Sequence, residues 1–277
     1  MPTRVDLHSH TTASDGRLTP LELARLASSR GIEVLGITDH DTTAAIAEAR
    51  AAAPPGLEIV AGVEINSEGD ADLGGLDVDF LGYYVNPEDA ALQERLELIR
   101  NARLGRARGM VEKLAALGMP VSWERVLAIA GDAESLARPH VARALVEAGH
   151  VSSLQEAFDK YLHDGGPAYV NRLRATASEA IGLVHRAGGL AILAHPYHNG
   201  TAHLIPALVA RGLDGIEVYY PDHTPEQQAA LLRIARESGL LVTGGSDFHA
   251  WDDGTHANLG EQEVPWGVIE ALRARKR

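Results

Sequence analysis

The alternation of short apolar runs with helical patterns restricts the fold of this chain more than any other feature of its sequence. Several runs are almost continuously apolar, which is typical of parallel strands buried on both faces. Between the first two runs, Thr19 and Pro20 predict a helix start, and Glu22 completes a capping box. Repeated strand–helix units indicate a parallel α/β architecture, although strand counting alone does not separate a small closed barrel from an open sheet. The seven predicted strands are Val5–His8, Glu33–Thr38, Leu57–Ile65, Val78–Val85, Leu190–Ala194, Gly215–Tyr219 and Leu240–Gly244.

The stretch from about Pro87 to Tyr169 lacks this alternation and contains mostly helical signals. Its apolar residues from Leu92 to Leu117 have the spacing of one long amphipathic helix that ends at Gly118. We therefore predict a helical insertion, which divides the chain into a first part of the barrel (residues 1–87), the inserted helices (88–169) and a second part of the barrel (170–277). Shorter helices are predicted at Trp123–Ala130, Pro139–Ala148 and Leu154–Leu162.

Charge and composition exclude several classes of function. The chain of 277 residues has 25 Lys and Arg against 38 Asp and Glu, a formal net charge of −13, and such a balance opposes a large nucleic-acid-binding surface. It contains no cysteine, so any metal has to be held by His and carboxylate groups. We find no apolar run of membrane-spanning length and no apolar signal core, so we expect a cytoplasmic protein without a membrane partner.

Histidine and acidic residues recur where the predicted strands end. In a parallel barrel all carboxyl ends of strands lie on one face, so these side chains are expected to meet there. A single His or Asp at such a position is more often a cap or a loop residue, but this many unpaired polar groups together would be costly to bury. They are too many ligands for one ion, which predicts two or three metals that share a bridging carboxylate. The residues are His8, His10, Asp15, His40, Glu64, Asp79, His195, Asp247 and His249.

The motifs around these residues are Asp6–His10, Ser14–Gly16, Thr38–Asp41, Gly62–Glu64, Ala194–Pro196 and Ser246–His249. In this order, and spread over nearly the whole chain, they resemble the motifs of the polymerase-and-histidinol-phosphatase (PHP) family. The resemblance implies a distorted (β/α)7 barrel with a trinuclear metal centre. The segments Arg138–Arg143 and Ala157–Leu162 are similar to the subgroup of nucleoside 3′,5′-bisphosphate phosphatases and 5′–3′ exoribonucleases, whose members carry them in a helical insertion.

The resemblance also implies how the ligands are shared among three metal positions. The family usually has His where this chain has Asp79, and Asp can ligate the same metals. Related sequences often carry a basic residue after the His-Pro pair, so a phosphate contact there would either fall to His198 or be missing. The implied sets are His8, His10, Glu64 and Asp247 for one ion, Asp15, His40 and His249 for a second, and Glu64, Asp79 and His195 for a third.

These features predict a metal-dependent phosphoester hydrolase that uses a metal-activated water. Manganese is the favoured ion, with Fe, Zn or Mg as alternatives, and the expected substrate is a nucleotide or a short oligonucleotide. Asp247 or His195 could carry the proton to the leaving oxygen. Arg138 and His140 are the candidates for binding substrate phosphate, since Arg can bind phosphate through two parallel hydrogen bonds. The competing interpretation of both is a helix start with a surface ion pair.

Two other functions remain open at this stage. A histidinol-phosphate phosphatase would use the same metals on a monophosphate that bears an amine, and the Arg138–Arg143 segment argues against it. A non-catalytic module stabilised by metal would be expected to have lost ligands, whereas this chain retains nearly all of them.

Overall fold

A nearly closed β-sheet forms the centre of the protein in a computed structural model that describes residues 4–131, 136–171, 174–250 and 257–276. Its strands are β1 (Val5–Asp6), β2 (Val34–Ile37), β3 (Glu58–Glu68), β4 (Asp77–Tyr83), β5 (Ala175–Thr176), β6 (Leu190–Leu193), β7 (Gly215–Tyr219) and β8 (Leu241–Gly244). Seven of them follow one another in the order β1-β2-β3-β4-β6-β7-β8, and β5 pairs with the end of β3. Next to β8 and β1 the sheet is joined by a bridge between Ser9 and Phe248 and by a hydrogen bond from the Leu7 amide to the Gly244 carbonyl. The predicted α/β barrel class is confirmed.

The expectation that all strands run parallel is wrong for β4. This strand is antiparallel to both of its neighbours, β3 and β6. The reason is the connection from β3 to β4, which has only residues 69–76, whereas a parallel crossover needs a dozen residues or more. Gly74 and Gly75 take positive φ values of 78° and 65° in this turn, which only glycine adopts at no steric cost. Because β4 is reversed, its amino end lies beside the carboxyl end of β3.

The helices cover the outside of the sheet or pack together beyond it. The predicted capping box is confirmed, since the Thr19 hydroxyl accepts a hydrogen bond from the Glu22 backbone N–H and the Glu22 carboxylate accepts one from the Thr19 backbone N–H. The helices are α1 (Pro20–Ser29), α2 (Ala45–Ala52), α3 (Ala90–Ala116), α4 (Trp123–Ala130), α5 (Arg138–Glu147), α6 (Leu154–Ala157), α7 (Ala177–Arg186), α8 (Ile205–Val209), α9 (Pro225–Ser238) and α10 (Gly267–Arg275). A π-helical turn, Phe158–Leu162, continues α6.

The long helix α3 connects two apolar cores. Its first half, from Leu92 to Ile99, packs into the core formed with α7, α8 and α9, while its second half packs with α4 and α5. Asp89 caps its first turn through the Leu92 amide, and Leu117, counted on its apolar face from the sequence, is 47% exposed. The predicted helices between residues 87 and 169 are therefore present, while the division of the chain at those boundaries stays a prediction.

The inner side of the sheet is filled by side chains from most of its strands. Val5, Leu7, Leu81 and Ile192 belong to this cluster, and Ile269 of α10 packs against it. Burying a cluster of this kind removes apolar surface from water at about 25 cal/mol per Å² and so fixes the strand ends in place. Among the helices that the structure describes, none has both the length and the apolar character needed to cross a membrane.

Candidate active site

Nine side chains from seven places in the chain meet at one end of the barrel. All come from the carboxyl ends of strands or from the loops that follow, except Asp79, which enters from the amino end of the reversed strand β4. Most are less than one-tenth exposed, and only His40 and Asp79 are partly open to solvent. The members are His8, His10, Asp15, His40, Glu64, Asp79, His195, Asp247 and His249.

Glu64 is the centre of this cluster. Its Oε2 lies 3.0 Å from His40 Nδ1 and 3.4 Å from the Nε2 atoms of both His8 and His10. Its Oε1 lies 3.1 Å from His195 Nε2. The two oxygens of one carboxylate therefore face imidazoles on two sides, which is the arrangement of a bridging ligand.

The ligand atoms fall into three groups, within each of which all atoms lie within 4.8 Å of one another. Two groups have the membership that the family resemblance implies, and the third also includes His10. Among the residues that the structure describes, neither ring nitrogen of His10 has a hydrogen-bond partner of acceptable geometry, although Nε2 lies 3.0 Å from Asp247 Oδ1. Within the same residues, Nδ1 of His195 is likewise buried without a hydrogen bond. Buried imidazoles and carboxylates that converge in this way, with several ring nitrogens left without a hydrogen bond, fit metal ions as their common partner.

Burial and mutual charge shift the pKa values of the cluster strongly. Burial lowers the pKa of His40 and His195, but the Glu64 carboxylate outweighs it and raises them to about 10 and about 9. Burial lowers the pKa of His10 to about 3, with the neighbouring His249 adding to the effect. Burial also raises the pKa of Glu64, yet the surrounding imidazoles bring it well below its ordinary value. The carboxylates thus stay ionised and require positive charge beside them.

Glu217, on strand β7, supports two of these ligands. The residue is fully buried, and its Oε1 lies 3.0 Å from His8 Nδ1. Its Oε2 accepts the backbone N–H of His195 at 2.9 Å. A carboxylate on the far nitrogen of a ligating His fixes the tautomer and the ring orientation. The sequence reasoning missed this residue, although a single charge inside the apolar run of β7 was a usable signal.

Two buried aspartates hold the loops that carry the ligands. Asp39 accepts hydrogen bonds from the Thr11 amide, the Thr11 hydroxyl and the Ser14 hydroxyl, at 2.7, 2.7 and 2.6 Å, and so fixes the loop of Asp15. Asp6 accepts from the Ser246 amide and hydroxyl at 2.9 and 2.6 Å. Both belong to the family motifs, but the sequence did not reveal their role as supports.

Close backbone contact beside Asp247 requires a glycine. A Cβ on Gly245 would lie 2.3 Å from the His8 amide nitrogen, a distance at which atoms clash. The segment after β8 therefore presses directly on the end of β1. Asp247 itself has a positive φ of 54°, and Tyr220 donates its hydroxyl to Asp247 Oδ2 at 3.0 Å.

A cavity of about 630 Å³ opens above the cluster, a size typical of small-molecule sites. Its floor includes Glu64, Asp247 and other residues of the cluster, while helices α5 and α6 supply one wall. The remaining lining residues are Arg138, Pro139, Leu154, Gln155, Phe158, His198, Asn199 and Tyr220.

The three candidates for substrate binding are placed differently. Arg138 lines the cavity and donates to the Leu162 carbonyl at 3.2 Å and to Asp164 at 2.7 Å. His198 also lines it, about half exposed, with Nδ1 2.9 Å from Asp222. His140 is not among the described lining residues, because its Nδ1 accepts the Ala137 amide at 2.9 Å and caps α5. The geometry therefore gives no support to a phosphate contact by His140.

A nearly closed barrel with a His- and carboxylate-rich centre at its mouth defines a class of metal-dependent enzymes. The chain belongs to the PHP domain family, whose sequence profile matches residues 6–187. The family profile therefore covers more than half of the chain in which these motifs lie.

The chain is also similar over most of its length to characterised proteins. It is 37% identical to a 3′,5′-nucleoside bisphosphate phosphatase of Chromobacterium violaceum, with 96% of each chain covered. It is 37% identical to a 5′-3′ exoribonuclease of Haemophilus influenzae, covering 96% of this chain and 98% of the relative. A protein of Bifidobacterium adolescentis assigned as a metal-dependent phosphoesterase has 34% identity and a TM-score of 0.89, covering 100% of this chain and 98% of that one.

Proposed function

We propose that the protein is a metal-dependent phosphoester hydrolase that removes phosphate from a nucleoside 3′,5′-bisphosphate or from a 5′-phosphorylated short oligonucleotide. The observation that carries the proposal is Glu64, a buried carboxylate shared by two groups of ligand atoms at the floor of a substrate-sized cavity. The named activities of the relatives, a nucleotide phosphatase and an exoribonuclease, support the same reaction class.

The nine converging residues would hold two or three divalent ions. Imidazole nitrogen and carboxylate oxygen ligands suit Mn²⁺, Fe or Zn, with Mg at oxygen-rich positions, and Mn²⁺ is the ion that we favour. When bound, these ions would supply an acidified water as nucleophile and positive charge for the phosphoryl oxygens. No protein nucleophile is needed for this chemistry.

Asp247 and His195 are the candidates for moving the proton to the leaving oxygen. Both line the cavity and both touch the ligand cluster. Tyr220 donates to one oxygen of Asp247, which orients that carboxylate, and the Glu217 carboxylate holds the His195 backbone. A proton carrier has to lie within hydrogen-bond reach of the leaving group, and the position of both residues in the cavity lining supports this proposed role.

The wall of the cavity suits a nucleotide. Arg138 offers a guanidinium for a phosphoryl oxygen, in exchange for part of its contact with Asp164. Phe158, Tyr220 and the aliphatic Leu154 give the same cavity flat and apolar surface, against which a nucleobase can stack. His198 lies on this wall and is the second candidate for a phosphate contact.

The test is phosphate release with added Mn²⁺ from adenosine 3′,5′-bisphosphate, 5′-AMP, a 5′-phosphorylated trinucleotide and histidinol phosphate. We expect chelator-sensitive release from the bisphosphate or the trinucleotide, and loss of it in His40→Ala with the fold retained. Preference for histidinol phosphate would indicate the alternative phosphatase. Two or more bound metals with no release from any compound would indicate a non-catalytic module.

A further inference from the structure

A second, smaller cavity of about 270 Å³ adjoins the candidate active site. Its lining includes Asp15, His40 and Asp79, which belong to the candidate metal-binding cluster. Four arginines line the same cavity, so a group placed in it lies near both the cluster and several guanidinium groups. The arginines are Arg103, Arg106, Arg138 and Arg174.

Two of these arginines occupy positions where α3 would be expected to carry apolar residues. Arg103 and Arg106 are only 5% and 6% exposed. They lie on the buried stripe of the helix, between Ile99 in one apolar core and Met110 in the other. A buried guanidinium costs free energy unless a partner compensates its charge, so the partners decide what these residues do.

Three of the four arginines have a carboxylate partner. Arg103 donates to Asp41 at 2.6 Å, Arg138 donates to Asp164 at 2.7 Å, and Arg174 pairs with Asp77. The acidic partners hold these guanidinium groups at the cavity wall, and each guanidinium has five N–H donors in all.

Arg106 is different because part of its guanidinium is not used. Its Nε donates to the Val170 carbonyl at 2.9 Å, and its charge lies 5.2 Å from the centre of the Tyr169 ring. Its Nη2 is buried and makes no hydrogen bond to any residue that the structure describes. The Asp164 carboxylate, which is already bonded to Arg138, lies 4.0 Å away. Burial, and then the positive charge of Arg138, lower the pKa of Arg106 to about 10.

Arg106 Nη2 is thus an unused, positively charged donor in a cavity lined by three other guanidinium groups. Such a set of donors suits a phosphate group, whose oxygens accept several hydrogen bonds of this kind. A phosphate in this cavity would be a neighbour of the one that is hydrolysed at the metal centre. We propose that the four arginines bind a second phosphate group of the same substrate, with Arg106 as the residue that selects for it. This inference rests on the proposed function, because the first phosphate has to lie at the metal centre.

The second phosphate could be the terminal group of a nucleoside 3′,5′-bisphosphate or the internucleotide diester of a 5′-phosphorylated oligonucleotide. The experiment distinguishes these by measuring kcat/KM with Mn²⁺ for adenosine 3′,5′-bisphosphate, a 5′-phosphorylated dinucleotide, 3′-AMP and 5′-AMP. The wild type should prefer one or both compounds with two phosphates. Arg106→Met should lower kcat/KM for the preferred compound by about 10- to 100-fold, as expected for one lost charge-assisted hydrogen bond, and leave both monophosphates nearly unchanged.

Stability separates a binding role of Arg106 from a structural one. Because Arg106→Met removes an incompletely compensated buried charge while keeping an unbranched side chain, its Tm should equal or exceed that of the wild type. The matched control is Arg108→Met, on the exposed side of the same helix against Trp123, which should keep the wild-type preference. If Arg106→Met does not fold, Arg106→Lys carries the same test, with a smaller loss that is again confined to compounds with two phosphates.

The outcomes that overturn the inference are distinct from failure of the proposed function. Equal wild-type activity on compounds with one and two phosphates, or an equal loss on all compounds in the Arg106 variants, would remove the second phosphate site and leave the hydrolase intact. No release from any of the four compounds by the metal-loaded wild type would remove the proposed function, and the second phosphate site with it.

Discussion

The His8 ring shows how one residue of the site is fixed from both sides. Glu217 lies 3.0 Å from Nδ1, while Nε2 faces Glu64 at 3.4 Å and Asp247 at 3.2 Å. If Nδ1 donates its proton to Glu217, the lone pair of Nε2 points into the cluster, where a metal would need it. Glu217 therefore acts on the orientation and basicity of the His8 ring and does not itself need to bind a metal.

We predict that Glu217→Gln weakens metal binding by about 10- to 100-fold, the usual effect of losing such a supporting carboxylate. Gln has nearly the same size, so the variant should fold. Titration of the chelated protein with Mn²⁺ against a competing indicator measures the affinity. Glu226→Gln, at the exposed start of α9, is the control. Unchanged affinity in Glu217→Gln would mean that His8 does not depend on this contact.

The histidines also predict how stability depends on pH in the metal-free protein. The pKa of His40 is raised to about 10 and that of His195 to about 9, both above the ordinary value of about 6.5. Groups with raised pKa values contribute stability fully below their unfolded-state pKa and lose it as the pH rises through the folded-state value. The Tm of chelated protein should therefore fall between about pH 7 and about pH 10, with a smaller fall in His40→Ala. A Tm that stays level or rises over this range would contradict the charge balance described here.

At the scale of elements, the direction of β4 decides the composition of the site. The apolar run of β4 predicts a strand but contains no information on its direction, so the sequence could place Asp79 only near the cluster. The reversed strand sets Asp79 opposite Asn66 of β3. Asn66 donates to one carboxylate oxygen at 2.6 Å and Asn199 donates to the other at 2.8 Å. Two amides thus hold this carboxylate where the family usually has a histidine.

We predict that Asp79→Ala lowers the metal content by about one ion per chain, because Glu64 and His195 alone provide too few ligands for the third position. Metal analysis after dialysis against Mn²⁺ measures this number, and Asp77→Ala at the start of the same strand is the matched control. The same metal content in Asp79→Ala and wild type would place Asp79 outside the ligand set and make it a support for the cavity wall.

The other elements differ in how well they could be predicted from the sequence. Strong periodic signals located seven of the eight strands and the long helix α3, because burial imposes its pattern on many consecutive residues. The two-residue strand β5 is too short to have a pattern and was missed. The arginines at positions 103 and 106 were not recognised either, because an apolar stripe with two charged members resembles the ordinary polar interruptions of a surface helix.

At the scale of the molecule, the barrel and the inserted helices meet along α3. Arg103 of this helix donates to Asp41, the residue after His40, and contacts Asn66, which in turn holds Asp79. Helix α3 is therefore tied directly to the candidate metal centre. A net charge of −13 disfavours general binding of nucleic acid, whereas four arginines line the smaller cavity, where a phosphate of the substrate is proposed to bind.

The convergence of the candidate ligands could be predicted from the sequence because all of them except Asp79 lie near or after the carboxyl end of a recognisable strand, and such ends converge in a barrel. Support by Glu217, capping by His140 and the grouping of the arginines depend on which side chains meet across the fold, and no local pattern encodes that. Such contacts become visible only when all elements are in place.

The most direct test of the account is phosphate release from adenosine 3′,5′-bisphosphate by protein that has been stripped with chelator and then titrated with Mn²⁺. We predict no phosphate release from the stripped protein. Release should recover as Mn²⁺ binds and should saturate at two or three ions per chain, and Glu64→Gln should show no recovery. Full release by protein without bound metal, or wild-type recovery in Glu64→Gln, would contradict the claim that Glu64 organises a metal-dependent hydrolytic centre.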